Sequence, residues 1–138
     1  MNRTTNHLIL PLDFPPELSS AAFVAHSEAA WPTSLAPKAV EWLGLHGYAV
    51  LGTELWLIKE GAIHPLPVGL SGMGEVHGNS VDREQGESWE MFVTRASALT
   101  AAFLRSFDPA QIVEQGELYF NVVWVEEEKF NKLGSGSV

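Results

Sequence analysis

Leu118-Tyr119-Phe120-Asn121-Val122-Val123-Trp124-Val125 is a long run of branched and aromatic side chains, the types that suit a pleated, half-buried surface. Its density of apolar residues predicts a strand lying centrally in a sheet, and Glu126-Glu127-Glu128 closes it in solvent. Such a strand needs helices to cover it. The strongest candidate is Ser88–Phe107, where Ser88 is a good N-cap and Glu90 sets negative charge against the positive end of the helix dipole. Phe92, Ala96, Leu99 and Phe103 recur at helical spacing, Trp89 and Phe107 extend the stripe, and Asp108-Pro109 ends it.

Upstream, a second helix is predicted from Ala36 to His46. Pro37 is tolerated in its first turn, Ala39, Val40 and Leu43 form its stripe, and Gly47 is a natural left-handed stop. Tyr48–Leu51 then reads as a buried strand, Gly52-Thr53 as a bulge, and Glu54–Lys59 as a second extended run. Glu60-Gly61 marks a turn from which Ala62–Leu66 returns as the other arm of a hairpin. Nearer the start, His7–Leu12 reads as an edge strand ended by Pro15-Pro16, and Ser19-Ser20 opens a helix to about Ala30. Trp31-Pro32 interrupts it, because the residue before proline is pushed out of helical geometry.

Between Pro65 and Glu87, Gly69, Gly72, Gly74 and Gly78 break every candidate element. The expected fold is therefore α/β, a small two-layer sandwich. Its short mixed or antiparallel sheet of three to five strands is covered by two or three helices. Residues 1–133 form a single domain, and Gly134-Ser135-Gly136-Ser137-Val138 a flexible, linker-like tail.

Composition narrows the function. With 138 residues, 46% apolar and 18% charged, the chain can bury one real core. Cysteine is absent, which excludes disulfides and thiolate chemistry. No apolar run approaches the ~18 residues of a membrane span, and Leu8–Leu12 is too short for a signal-peptide core, so a cytoplasmic location is expected. Seventeen acidic residues against eight basic ones give a net charge of −9, which repels phosphate backbones and argues against nucleic acid as a partner. The same charge suits either simple solubility or a basic protein partner.

Chemical motifs are incomplete. Gly72-Met73-Gly74-Glu75-Val76-His77-Gly78 places its third glycine one residue late for a dinucleotide fingerprint, and Glu75 would repel a pyrophosphate. Gly69-Leu70-Ser71-Gly72-Met73 has Met73 where a nucleophile elbow needs glycine. His64, Glu75 and His77 are zinc-ligand types, yet no HExxH accompanies them, and isolated loop histidines are usually solvated. The expectation is a protein that is not an enzyme and carries no metal or cofactor.

The features from Trp31 to Val125 resemble the immunity protein 40 family of bacterial polymorphic toxin systems. The resemblance is carried by Trp31, Lys38-Ala39-Val40-Glu41-Trp42-Leu43 and Tyr48-Ala49-Val50-Leu51-Gly52-Thr53-Glu54-Leu55-Trp56, and then by Glu87-Ser88-Trp89-Glu90-Met91-Phe92-Val93-Thr94-Arg95-Ala96-Ser97 and the final strand. In that family an "LGG" step leads to an acidic–apolar–aromatic triplet, here Glu54-Leu55-Trp56, and an "ESWxxY/F" helix start recurs. This chain has Thr53 for the second glycine, Trp56 for the more usual tyrosine, and a glycine-rich loop where a tryptophan is expected. The resemblance implies a stoichiometric inhibitor that neutralises a cognate toxin inside the producing cell.

A partner-binding surface is expected at Glu75, Asp82, Glu84, Glu87 and Glu90, five carboxylates with only Arg83 against them, together with Trp56. The loop is equally readable as a solvated segment, Glu126–Glu128 is a competing acidic face, and Trp56 is readable as core or as interface anchor. Trp89 and Trp124 are expected in the core. The rival function is a small-molecule-binding or enzymatic domain using Gly69–Glu87 as a lid.

Overall fold

The computed structural model describes residues 10–64, 78–112 and 115–136. Its centre is the strand β6, Glu117–Val125, flanked by β2, Glu28–Pro32, and β3, Ala49–Lys59. β1, Phe23–Ala25, pairs with the outer side of β2, so the sheet runs β1-β2-β6-β3-β4. β4, Ala62–His64, pairs with Leu57–Lys59, and β5, Gly78–Ser80, with Gly52–Glu54. The two share the margin of β3 that β6 leaves open. Every pairing is antiparallel.

Four α-helices accompany the sheet among the described residues: α1, Pro16–Ala21; α2, Ala36–Leu45; α3, Trp89–Ser106; and α4, Glu127–Gly136. A 3-10 turn covers Pro109–Gln111. The fold is α/β with helices α2 and α3 stacked on one sheet face.

Alternation along the strands sorts the side chains. Ala29, Trp31, Val50, Leu55, Phe120 and Val122 meet Ala36, Ala39, Val40 and Leu43 of α2 and Ala101 and Leu104 of α3 in the main core. A second cluster joins Ala49, Val81 and Val125 to Phe92, Val93 and Ala96, with Phe130 of α4 packed against it. The opposite face carries Ala30, Trp56 and Ile58, ringed by half-buried Phe23, Ile63 and Tyr119.

The expected helix α2 is present and ends in a Schellman motif: Tyr48 N–H donates to the Leu43 carbonyl at 3.0 Å, and Gly47 N–H to Gly44 at 3.3 Å, with Gly47 at φ +85°. The two extended runs expected after it are one strand. The bulge falls at Leu51, a residue before the expected place, since Val50 faces Trp124 while Gly52 faces Val123. Gly52 and Gly78 let β3 and β5 approach closely. A Cβ on Gly52 would stand 2.7 Å from the Asn79 carbonyl oxygen, and one on Gly78 would strike that of Thr53.

The N-terminal expectation is corrected. The predicted helix reaching Ala30 stops at Ala21, and Phe23–Pro32 forms a hairpin instead. The alanines favour helix locally, yet Ala29 and Trp31 fit the core face opposite Phe120 and Val122, and sheet pairing overrides propensity. Leu10–Leu12 forms bends and turns, not an edge strand, while His7–Ile9 lies outside the described residues. Pro65 and Leu66, the expected end of β4, also lie outside them.

One further expectation changes. The stripe of α3 runs through Phe92, Val93, Ala96, Thr100, Ala101 and Leu104, while Leu99 is 51% exposed. Contact with α2 rotates the helix: a Cβ on Gly44 would lie 2.5 Å from the Ser97 hydroxyl, so the helices touch at that side. The acidic run after β6 opens α4, where Glu127 and Glu128 occupy the first turn and complement its dipole. The helix runs on to Gly136, into the segment expected to be a tail.

Candidate functional site

The acidic segment before α3 is built around an arginine. Ser88 caps the helix as expected, its hydroxyl accepting from Met91 N–H at 3.1 Å. That cap fixes Glu87 immediately ahead of the first turn and Arg95 further along the helix. The Arg95 guanidinium grips the Glu87 carboxylate with two prongs, Nε to Oε2 at 2.7 Å and Nη2 to Oε1 at 2.8 Å. Nη2 also donates to the Asp82 carbonyl at 2.6 Å.

The turn from Glu84 to Glu87 completes the clasp. Glu87 N–H donates to the Glu84 carbonyl at 3.1 Å, and Gly86 in the third position takes φ +80°. Glu84 N–H donates back to Glu87 Oε1 at 2.9 Å. Arg83 Nε donates to the Glu87 carbonyl at 3.1 Å, and its guanidinium lies 5.6 Å from the Trp89 ring and 5.9 Å from that of Phe130. The Arg95 hydrogen bonds, then the Glu84 amide, pull the Glu87 carboxyl down to a pKa of about 2.

The preceding stretch is equally anchored. Val81 N–H donates to the Leu51 carbonyl at 2.9 Å, and Val81 is buried. A partly buried polar chain runs across β3, β5 and α3: Thr53 Oγ1 donates to Asn79 Oδ1 at 2.5 Å, and Asn79 Nδ2 donates to Thr100 Oγ1 at 3.0 Å. Thr53 thereby ties the returning strand to the helix. The described half of the loop, residues 78–87, is held by strand, hydroxyl and guanidinium contacts, which weighs against its swinging as a lid.

The expected site residues divide accordingly. Asp82, Glu84 and Glu90 are exposed and lie on or beside the clasp. Glu87 is turned into the clasp on Arg95, with only 6% of its side chain exposed. Glu75 lies outside the described residues. Trp56 is separate from this group; it is 8% exposed, and its ring packs edge-on with Phe23 at 6.4 Å on the far sheet face. Arg95, outside the expected set, is a second cation of the segment, so the patch holds two guanidinium groups, not one. The signal available was an arginine two turns inside a helix that begins directly after an acidic loop.

The tryptophans differ in depth. Trp31 is fully buried, its Nε1 donating to the Leu18 carbonyl of α1 at 2.7 Å. Trp89 and Trp124, expected in the core, are half-buried and pack against its two clusters from the edge. Trp89 Nε1 donates to the Gly47 carbonyl at 3.0 Å, joining the start of α3 to the end of α2.

Fold and site together define a small α/β protein carrying an ordered acidic rim at the entrance to its longest helix. No family model, curated protein or solved structure matches the chain. Among the described residues, no helix is long and apolar enough to cross a membrane.

Proposed function

We propose that this protein is an immunity protein that binds a cognate bacterial toxin in the cytoplasm and neutralises it by stoichiometric contact. The observation that carries the reading is the arginine-held rim, which presents Asp82, Glu84 and Glu90 to solvent on an ordered backbone. A backbone already held at Asp82 and Glu84 needs little ordering when a partner arrives, which lowers the cost of binding. A net charge of −9 adds a field that draws a basic partner in. The substrate face of a nuclease is one such partner, and other toxin activities fit the same charge logic.

The test takes the product of the gene beside this chain's own as the candidate toxin. Co-expression should protect cells, and the purified pair should form a complex of fixed stoichiometry. A folded Asp82→Lys/Glu84→Lys/Glu90→Lys protein should associate roughly tenfold or more slowly, within the range that electrostatic steering spans. Absence of both complex and protection for the unsubstituted chain overturns the function. Unchanged association by the triple variant moves the interface to the far-face cluster over Trp56 or to Glu126–Glu128.

A further inference from the structure

Trp124 stands near the end of β6 and walls two neighbouring hollows. One, of about 410 Å³, is bordered by Ser27 and Glu28 at the β1–β2 hairpin; the other, of about 260 Å³, is bordered by Tyr48 and Glu126. Lys129 of α4 lines both, so the hollows are two halves of one trough crossing the end of the sheet.

The trough has the chemistry of a cation seat. Its aromatic wall is Trp124, backed by Trp31 at 6.0 Å, with Tyr48 beside Trp42 at 6.4 Å. Glu28 and Glu126 border its two halves and are exposed. Burial, then the negative charges of Glu126 and Asp13, raise the pKa of the Tyr48 phenol, so this end of the trough disfavours a further anion. At the hairpin end, His26 and Ser27 sit at φ +53° and +66°, a conformation that costs non-glycine residues energy and is held here by the pairing of β2 with β6.

We propose that this trough receives an arginine side chain of the protein partner against Trp124, with Tyr48 and Glu126 on one side and Glu28 on the other. The proposal rests on the protein-binding reading and places a second contact away from the clasp. Arginine fits better than lysine because its planar guanidinium stacks on an aromatic ring while its fork reaches carboxylates. Lys129, which lines both halves, carries the same sign of charge and opposes the incoming guanidinium.

The experiment titrates the full chain with the blocked peptide acetyl-Gly-Arg-Gly-amide, following indole N–H resonances by NMR, against the citrulline peptide of equal shape and no charge. The arginine peptide should move the Trp124 indole saturably, and the citrulline peptide should bind about tenfold more weakly or worse. Glu126→Gln combined with Asp13→Asn should weaken the arginine peptide several-fold, and Lys129→Met should tighten it. The Trp89 indole, beside the acidic clasp, should stay still. Equal binding of citrulline, weaker binding in Lys129→Met, or movement of Trp89 in place of Trp124 overturns the proposal. No toxin enters this titration, so peptide binding with no toxin complex would sink the immunity reading and leave the arginine seat standing.

Discussion

At Glu87 a single carboxylate accepts from three N–H groups, two on Arg95 and one on the backbone of Glu84. Its pKa of about 2 lies below the ordinary 4.5, so the folded form binds protons less readily than the unfolded one. The clasp's contribution is therefore fully present above pH 4.5 and is lost as pH falls through about 2. Following the Arg95 Nε–H and Glu84 amide resonances, we expect both to hold at pH 4 and to collapse near pH 2. Glu87→Gln should remove that acid step, and an unaltered step would assign it to another carboxylate. Gly78 supplies a second test at this scale. Gly78→Ala drives a methyl into the Thr53 carbonyl, so a loss of about 1–3 kcal/mol in denaturant unfolding is expected.

In helix α3 the buried register is a matter of which neighbour the helix touches. Leu104 is 3% exposed and Leu99 is 51% exposed, although both are leucines on one helix. Leu104→Ala should cost about 2–5 kcal/mol, and Leu99→Ala should stay within about 0.5 kcal/mol. Equal losses would restore the stripe read from spacing alone. Thr100 belongs to the same register but works through its hydroxyl. Thr100→Val leaves Asn79 Nδ2 without its acceptor, which should cost about 1–3 kcal/mol and loosen β5 selectively. Hydrogen exchange at Val81 N–H, bonded to Leu51, reports that loosening.

For the whole molecule, the charge of −9 acts at a distance that salt controls. Screening shortens its reach to about 8 Å at physiological ionic strength. Association with the proposed toxin partner should therefore slow steeply between low and physiological salt, with the dissociation rate changing much less. A salt-independent association rate would remove electrostatic capture from the mechanism. The tryptophans report the same scale differently, because their burial depends on elements far apart in sequence. Trp31 is sealed by α1 through Leu18, whereas Trp89 and Trp124 sit at the seams where α4 and the N-terminal turn meet the sheet.

The chain's own order of side chains determined the central strand, the two long helices, the Ser88 cap and the Gly47 stop, because each rests on periodicity or on bonds between residues a few positions apart. Thr53 and Arg95 were visible as residues but not as devices, since their partners Asn79 and Glu87 are brought to them by the returning loop. The β1–β2 hairpin was hidden because its alanine-rich sequence favours helix until β6 offers a pairing edge. The register of α3 and the exposure of each tryptophan were likewise decided only in the folded state. Local pattern says which residues are apolar, but burial is a property of two surfaces, and the second surface comes from elsewhere in the chain.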